Sequence, residues 1–221
     1  MRKACLAIAL AGALGCSAST IRPSPEPVRP ITPGSDVLTP AAQARADSGR
    51  PPYTRADVRF MQGMIGHHAQ AIVMAGWAPT HGARPDVRIL AERIAVAQQD
   101  EITTMQRWLR DRRETVPTAD AHHGHAGMDM PGMTMPPMMP GMLTADQFAK
   151  LDAARGVAFD RLFLNYMIQH HQGAVAMVQQ LLAVPAAAQD DDIFRFVADV
   201  NVDQTTEIDR MRVMLSTLPP D

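Results

Sequence analysis

The sequence predicts an all-α fold, a four-helix bundle assembled from two repeated helical hairpins. Three observations carry that expectation. Apolar residues recur at helical spacing through four long segments. The stretch MIGHHAQAIVM at 64–74 returns as MIQHHQGAVAM at 167–177. Ahead of the four segments, and between the second and third, lie stretches rich in Pro and Gly that regular elements do not tolerate.

Residues 1–16, MRKACLAIALAGALGC, open on Arg2 and Lys3 and continue in an apolar run too short to span a bilayer, the pattern of an export signal. The closing ALGC resembles the bacterial lipoprotein signal, which marks Cys16 for lipidation and a membrane anchor, with plain cleavage as the alternative. Either reading places the protein in the cell envelope. Cys5 lies inside the signal, so an exported chain has no disulfide, and metal chemistry must use His, Met and carboxylates. Residues 17–52 are studded with Pro and poor in large apolar residues, as expected of a tether.

The helical domain is expected over 53–218. Its first helix runs from Thr54 to Trp77, with Thr54 and Asp57 spaced as an N-cap, and APTHGARPD breaks it. The second starts near Asp86, where the helix dipole favours an acid, and completes hairpin one over 54–114. Hairpin two, over 144–217, opens on Thr144 and Gln147 spaced as a capping box, and its last helix starts on three acids. In register the halves pair Asp57 with Asp160, Phe60 with Phe163, Met64 with Met167, His67 with His170, His68 with His171, and Met74 with Met177. The second helices pair Gln98, Glu101 and Met105 with Gln204, Glu207 and Met211. Two hairpins that cannot bury their faces alone should pack together about a pseudo-twofold.

The Met-Ile-x-His-His segment followed by Ala and Met, present in both halves, resembles the bacterial DUF305 proteins, and FDRLFLNYMIQHHQGAVAM is its most specific stretch. The resemblance covers roughly 54–218. It implies a ferritin-like helical bundle, export to the envelope and copper binding.

Neighbouring helical residues point about 100° apart, so His67 and His68 serve different faces. Met64, His67, Ala71 and Met74 form one stripe, and Met167, His170, Ala174 and Met177 its counterpart. Imidazole with thioether selects Cu(I), and the similar Ag(I), over hard ions. His67 and His170 are favoured as ligands over His68 and His171, whose helical neighbours are aliphatic. Gln98, Glu101, Gln204 and Glu207 stand where they can accept the second ring N–H of a ligating His. A structural His–Glu hydrogen bond and Met as core filler are the alternatives.

Residues 120–142 form the insert, with His122, His123 and His125 followed by Met128, Met130, Met133, Met135, Met138, Met139 and Met142. Thioethers at that density can wrap a soft ion, and the His cluster suits Cu(II) or Zn²⁺.

A net charge of −2 gives no field for nucleic acid. No Gly-rich phosphate loop, mature Cys nucleophile or His-Glu-x-x-His motif is present. The Glu-x-x-His of di-iron bundles is also absent, since Thr104 and Arg210 follow Glu101 and Glu207 at that spacing. The expectation is a non-enzymatic protein that buffers, sequesters or delivers copper, with no organic cofactor and with a copper-transfer partner conceivable. A metal-dependent oxidase, a haem bundle and a metal-free tethered interaction module are the alternatives.

Overall fold

The computed structural model describes residues 48–49, 53–119 and 139–219. The export signal with Cys16, most of the tether, and His122, His123, His125, Met128, Met130, Met133, Met135 and Met138 of the insert lie outside the described residues.

The described chain is all-helical: α1 Arg55–Gly76, α2 Pro85–Asp111, α3 Ala145–Ala153, α4 Gly156–Leu182 and α5 Asp191–Ser216. Each start has a local cause. The Thr54 hydroxyl accepts from the Asp57 N–H, and the Asp57 carboxylate accepts from the Thr54 N–H at 2.7 Å, a full capping box. Pro85 supplies the preset φ at the head of α2. Thr144 and Gln147 repeat the box at α3, and Asp190 caps α5 by accepting from Asp192 and Ile193.

Five helices stand where four were expected. The segment from Thr144 to Leu182 is not continuous, because Ala154 and Arg155 are extended and Gly156 turns the chain at φ +59°. The short α3 this creates seats the fully buried Leu151 in the core.

Helix α1 packs along α2 and α4 along α5, and the two hairpins meet across α1 and α4, while α2 and α5 scarcely touch. Two apolar clusters result. One joins the N-terminal half of α1 to the C-terminal half of α2, through Met61, Ile65, Ile102 and Trp108, and takes in Val178 and Phe196. The other holds Leu90, Ile94, Phe159, Phe163 and Ile208.

The repeat extends to how the ends are fastened. Asp57, fully buried, accepts from the N–H of Ala188 in the turn after α4 at 2.8 Å. Its counterpart Asp160 accepts from the N–H of Arg84 in the turn after α1 at 3.2 Å. Each hairpin thus clamps the other's turn.

Candidate metal site

Between the two clusters, near the midpoints of four helices, lies a polar layer: His67 and His68 on α1, Gln98 on α2, His170 and His171 on α4, and Gln204 on α5. All four histidines are fully buried. A buried imidazole must find partners for two ring nitrogens or leave one orphaned.

The His67 and His170 rings lie with centroids 3.8 Å apart. His170 Nε2 is 2.9 Å from the His67 carbonyl oxygen, and His67 Nε2 is 2.9 Å from the Pro140 carbonyl oxygen. A carbonyl only accepts, so both Nε2 atoms carry the proton and both Nδ1 atoms keep their lone pair. His171 Nε2 donates to Glu207 Oε2 at 2.7 Å. His68 Nε2 meets Glu101 Oε2 at the same 2.7 Å but off the hydrogen-bond direction. The Nδ1 atoms of all four rings are buried without a hydrogen-bond partner.

Burial also sets protonation. Desolvation, with the neighbouring His68 adding to it, pushes His67 down to about 3, and desolvation pushes His170 well below the usual imidazole range. Both rings stay neutral in ordinary conditions. His81 is the internal contrast, with Nε2 at 2.9 Å from the Asp152 carbonyl oxygen and Nδ1 at 3.0 Å from the Thr80 hydroxyl. That histidine is satisfied at both nitrogens and ties the α1–α2 turn to α3.

Thioethers flank the layer. Met64, Met105 and Met177 lie in one cluster, and Met74, Met167 and Met211, the same trio under the repeat, lie in the other. The expected Met64–His67–Met74 stripe is therefore divided, its two methionines serving opposite sides of the layer. Met139 at the end of the insert joins the first side: a Cβ on Gly63 would meet Met139 Sδ at 3.2 Å and Met177 Cε at 3.6 Å. Among the described residues no three His, Cys, Asp or Glu side chains converge as a ready-made ion cage, so an ion in this layer must draw on thioethers or shift a side chain.

Glu101 and Glu207 meet His68 and His171, while backbone carbonyls hold the favoured pair His67 and His170. Gln98 and Gln204 accept no ring N–H: both amide atoms of Gln98, and Oε1 of Gln204, lack a hydrogen-bond partner.

Sequence reading also missed the strap over the layer. Residues 139–143 lie across α1 and α4, held by His67 on Pro140, by Gln70 Oε1 accepting from the Leu143 N–H at 2.8 Å, and by Gln169 donating to the Gly141 carbonyl at 3.3 Å. Gly173 makes room, since a Cβ there would stand 2.0 Å from the Pro140 oxygen. The available signal was a break in the repeat: Gly173 occupies the position that Gln70 holds in the first half.

Residues 57–215 match the family model DUF305, a domain of unknown function. The chain belongs to the DUF305 family. Among solved structures, a DUF305 fragment from Deinococcus radiodurans is similar at 30% identity and a TM-score of 0.61, covering 76% of this chain and 100% of that one. A DUF305 protein from Streptomyces coelicolor follows at 27% and 0.60, over 73% and 92% of the two chains. CopM in its Cu(I)-bound form is similar at 26% and 0.54, over 75% and 97%, and CopM was also solved with Cu(II) and with Ag. Among curated proteins, the uncharacterized protein L153 of Acanthamoeba polyphaga mimivirus is 37% identical over 57 residues, or 26% of this chain. The match spans 38% of that relative.

Proposed function

We propose that this DUF305 chain is an exported, non-enzymatic copper protein that holds Cu(I) in the histidine layer of a ferritin-like bundle. The observation that carries the reading is the set of four buried, partnerless Nδ1 atoms, two of which, on His67 and His170, hold a free lone pair. Leaving a buried nitrogen unsatisfied costs about 1–3 kcal/mol, and this chain does so four times at repeat-related positions while satisfying His81 in full. A soft cation is the partner that matches neutral nitrogens flanked by thioethers. The Nε2–H of His67 and of His170, each anchored on a carbonyl, is the outer contact that orients a ligating ring. The structural likeness to CopM, solved with Cu(I), Cu(II) and Ag, supports the same ligand class.

In this reading the Met- and His-rich insert gathers Cu(I) or Cu(II), and the strap at 139–143 brings the Met139 thioether to one side of the layer. Buffering, sequestration or delivery of copper is the role this reading assigns, with the ion as cargo held by soft ligands. Export is supported by the signal-like 1–16 segment and by the Streptomyces relative, which is named as a secreted protein; lipidation at Cys16 is part of the same proposal.

The test is an anaerobic Cu(I) titration against a chromophoric chelator, with the parent chain compared with one whose residues 120–138 are a Gly/Ser linker. Tight binding that survives the replacement supports the layer. Loss of all binding on replacement confines copper to the insert and overturns the helical site.

A further inference from the structure

The histidine layer is sealed by α1 and α4 on one side, so an ion needs another way in. The opposite side is open. Where α2 and α5 scarcely touch, a trench of about 260 Å³ is lined by Arg93, Gln98, Glu101, Asp203, Gln204 and Glu207. Glu101 and Asp203 also line a second hollow of about 550 Å³ that continues toward Trp108 and Asp199, so the two form one trench along the helix pair.

Its chemistry suits a cation on the move. Asp203 stands at the mouth, and Glu101 and Glu207 lie deeper, each with Oε2 2.7 Å from a ring nitrogen of the layer. An ion that reaches either glutamate is one side chain from a histidine. Gln98 and Gln204 are only 1% and 2% exposed, yet amide atoms of both face the trench without a partner, so its floor offers oxygens that nothing in the fold uses. The carboxylates also crowd one another: burial, then Glu101, Glu207 and Asp199, push the Asp203 carboxyl up, while Arg93 and Arg210 make no ion pair there. A passing cation relieves that crowding, and a resident one would demand a convergence of carboxylates that the described residues lack.

We infer that the α2–α5 trench is the entry port for monovalent soft cations, with Asp203 as the capturing carboxylate, Glu101 and Glu207 as the inner relay, and the Gln98 and Gln204 amides as its floor. The inference rests on the copper reading above. Capture by a carboxylate at the mouth accelerates loading without contributing to the final ligand set, because the ion leaves Asp203 behind.

The test measures rate apart from affinity. Ag(I), supplied as the nitrate, is mixed in stopped flow with the full-length chain whose insert histidines and methionines are changed to Gln and Leu, and intrinsic fluorescence follows loading. Asp203→Lys is compared with Glu92→Lys, an equal charge change on an exposed residue of α2 outside the trench. Asp203→Lys is expected to slow loading about tenfold, less so at high salt, with equilibrium affinity within about twofold. Glu92→Lys should stay within about twofold in both. Equal rates in the two variants overturn the port, as does an affinity loss in Asp203→Lys that matches the rate loss, since Asp203 would then be a ligand. Far-UV circular dichroism verifies that both variants are helical. Failure of every chain, including the parent, to bind Ag(I) is the separate signature that the copper reading itself is wrong.

Discussion

His170 donates its Nε2–H to the backbone carbonyl of His67, 2.9 Å away, so the repeated motif closes on itself across the α1–α4 contact. The counterpart bond does not go back to His170. His67 turns instead to Pro140, at the end of the insert. The strap breaks the twofold, and it couples the insert to the buried layer.

That coupling predicts an effect of Gly173→Ala. Its Cβ would meet the Pro140 oxygen at 2.0 Å and backbone atoms of Pro140 and Gly141 within 2.6 Å, none of which can swing aside. A loss of about 1–3 kcal/mol in urea unfolding is expected, as for overpacking elsewhere. Gly76→Ala, with nothing within 4 Å, should be neutral or stabilising by up to about 1 kcal/mol.

The buried imidazoles predict an acid-sensitive fold. His67 titrates at about 3 when folded and near 6.5 when unfolded, so the unfolded chain binds the extra proton between those values. Stability is fully present above about pH 6.5 and falls as pH drops toward 3, by about 1.4 kcal/mol per unit for each such histidine. Urea midpoints of the metal-free protein across that range check this. A His67→Gln variant should show a shallower decline.

The paired turn clamps predict matched losses. Asp57→Ala removes the acceptor for the buried Ala188 N–H and half of a capping box, a cost of about 2–3 kcal/mol. Asp57→Asn keeps an acceptor and should lose less. Asp160→Ala strands the Arg84 N–H and should lose less than Asp57→Ala, because its bond is longer and it caps no helix. Thermal unfolding of the three variants ranks them.

Much of this was legible in the sequence, and what was not has physical reasons. Caps read well because they are local: Thr54 with Asp57 and Thr144 with Gln147 form the expected boxes. The duplicated His and Met positions do bring His67 to His170, since both stripes face the same helix contact. Which histidine each glutamate meets was not legible, because spacing along a helix fixes relative azimuth and leaves open which neighbour each face meets. Packing of α1 on α4 took the His67 face, so His68 was turned toward α2 and Glu101. The Pro140 carbonyl was invisible because every residue carries one. The break at Ala154–Gly156 hid inside an apolar periodicity that α3 and α4 share.

The most direct measurement is a two-bond ¹H–¹⁵N spectrum of the imidazole rings, recorded with and without Ag(I), in a chain whose 120–138 segment is a Gly/Ser linker. The account predicts that His67 and His170 are neutral Nε2–H tautomers in the metal-free protein, and that Ag(I) shifts Nδ1 resonances among the four layer histidines while the His81 signals stay in place. Nδ1 protonation of His67 or His170, or layer rings that ignore Ag(I), would contradict it and leave the four histidines as structural groups alone.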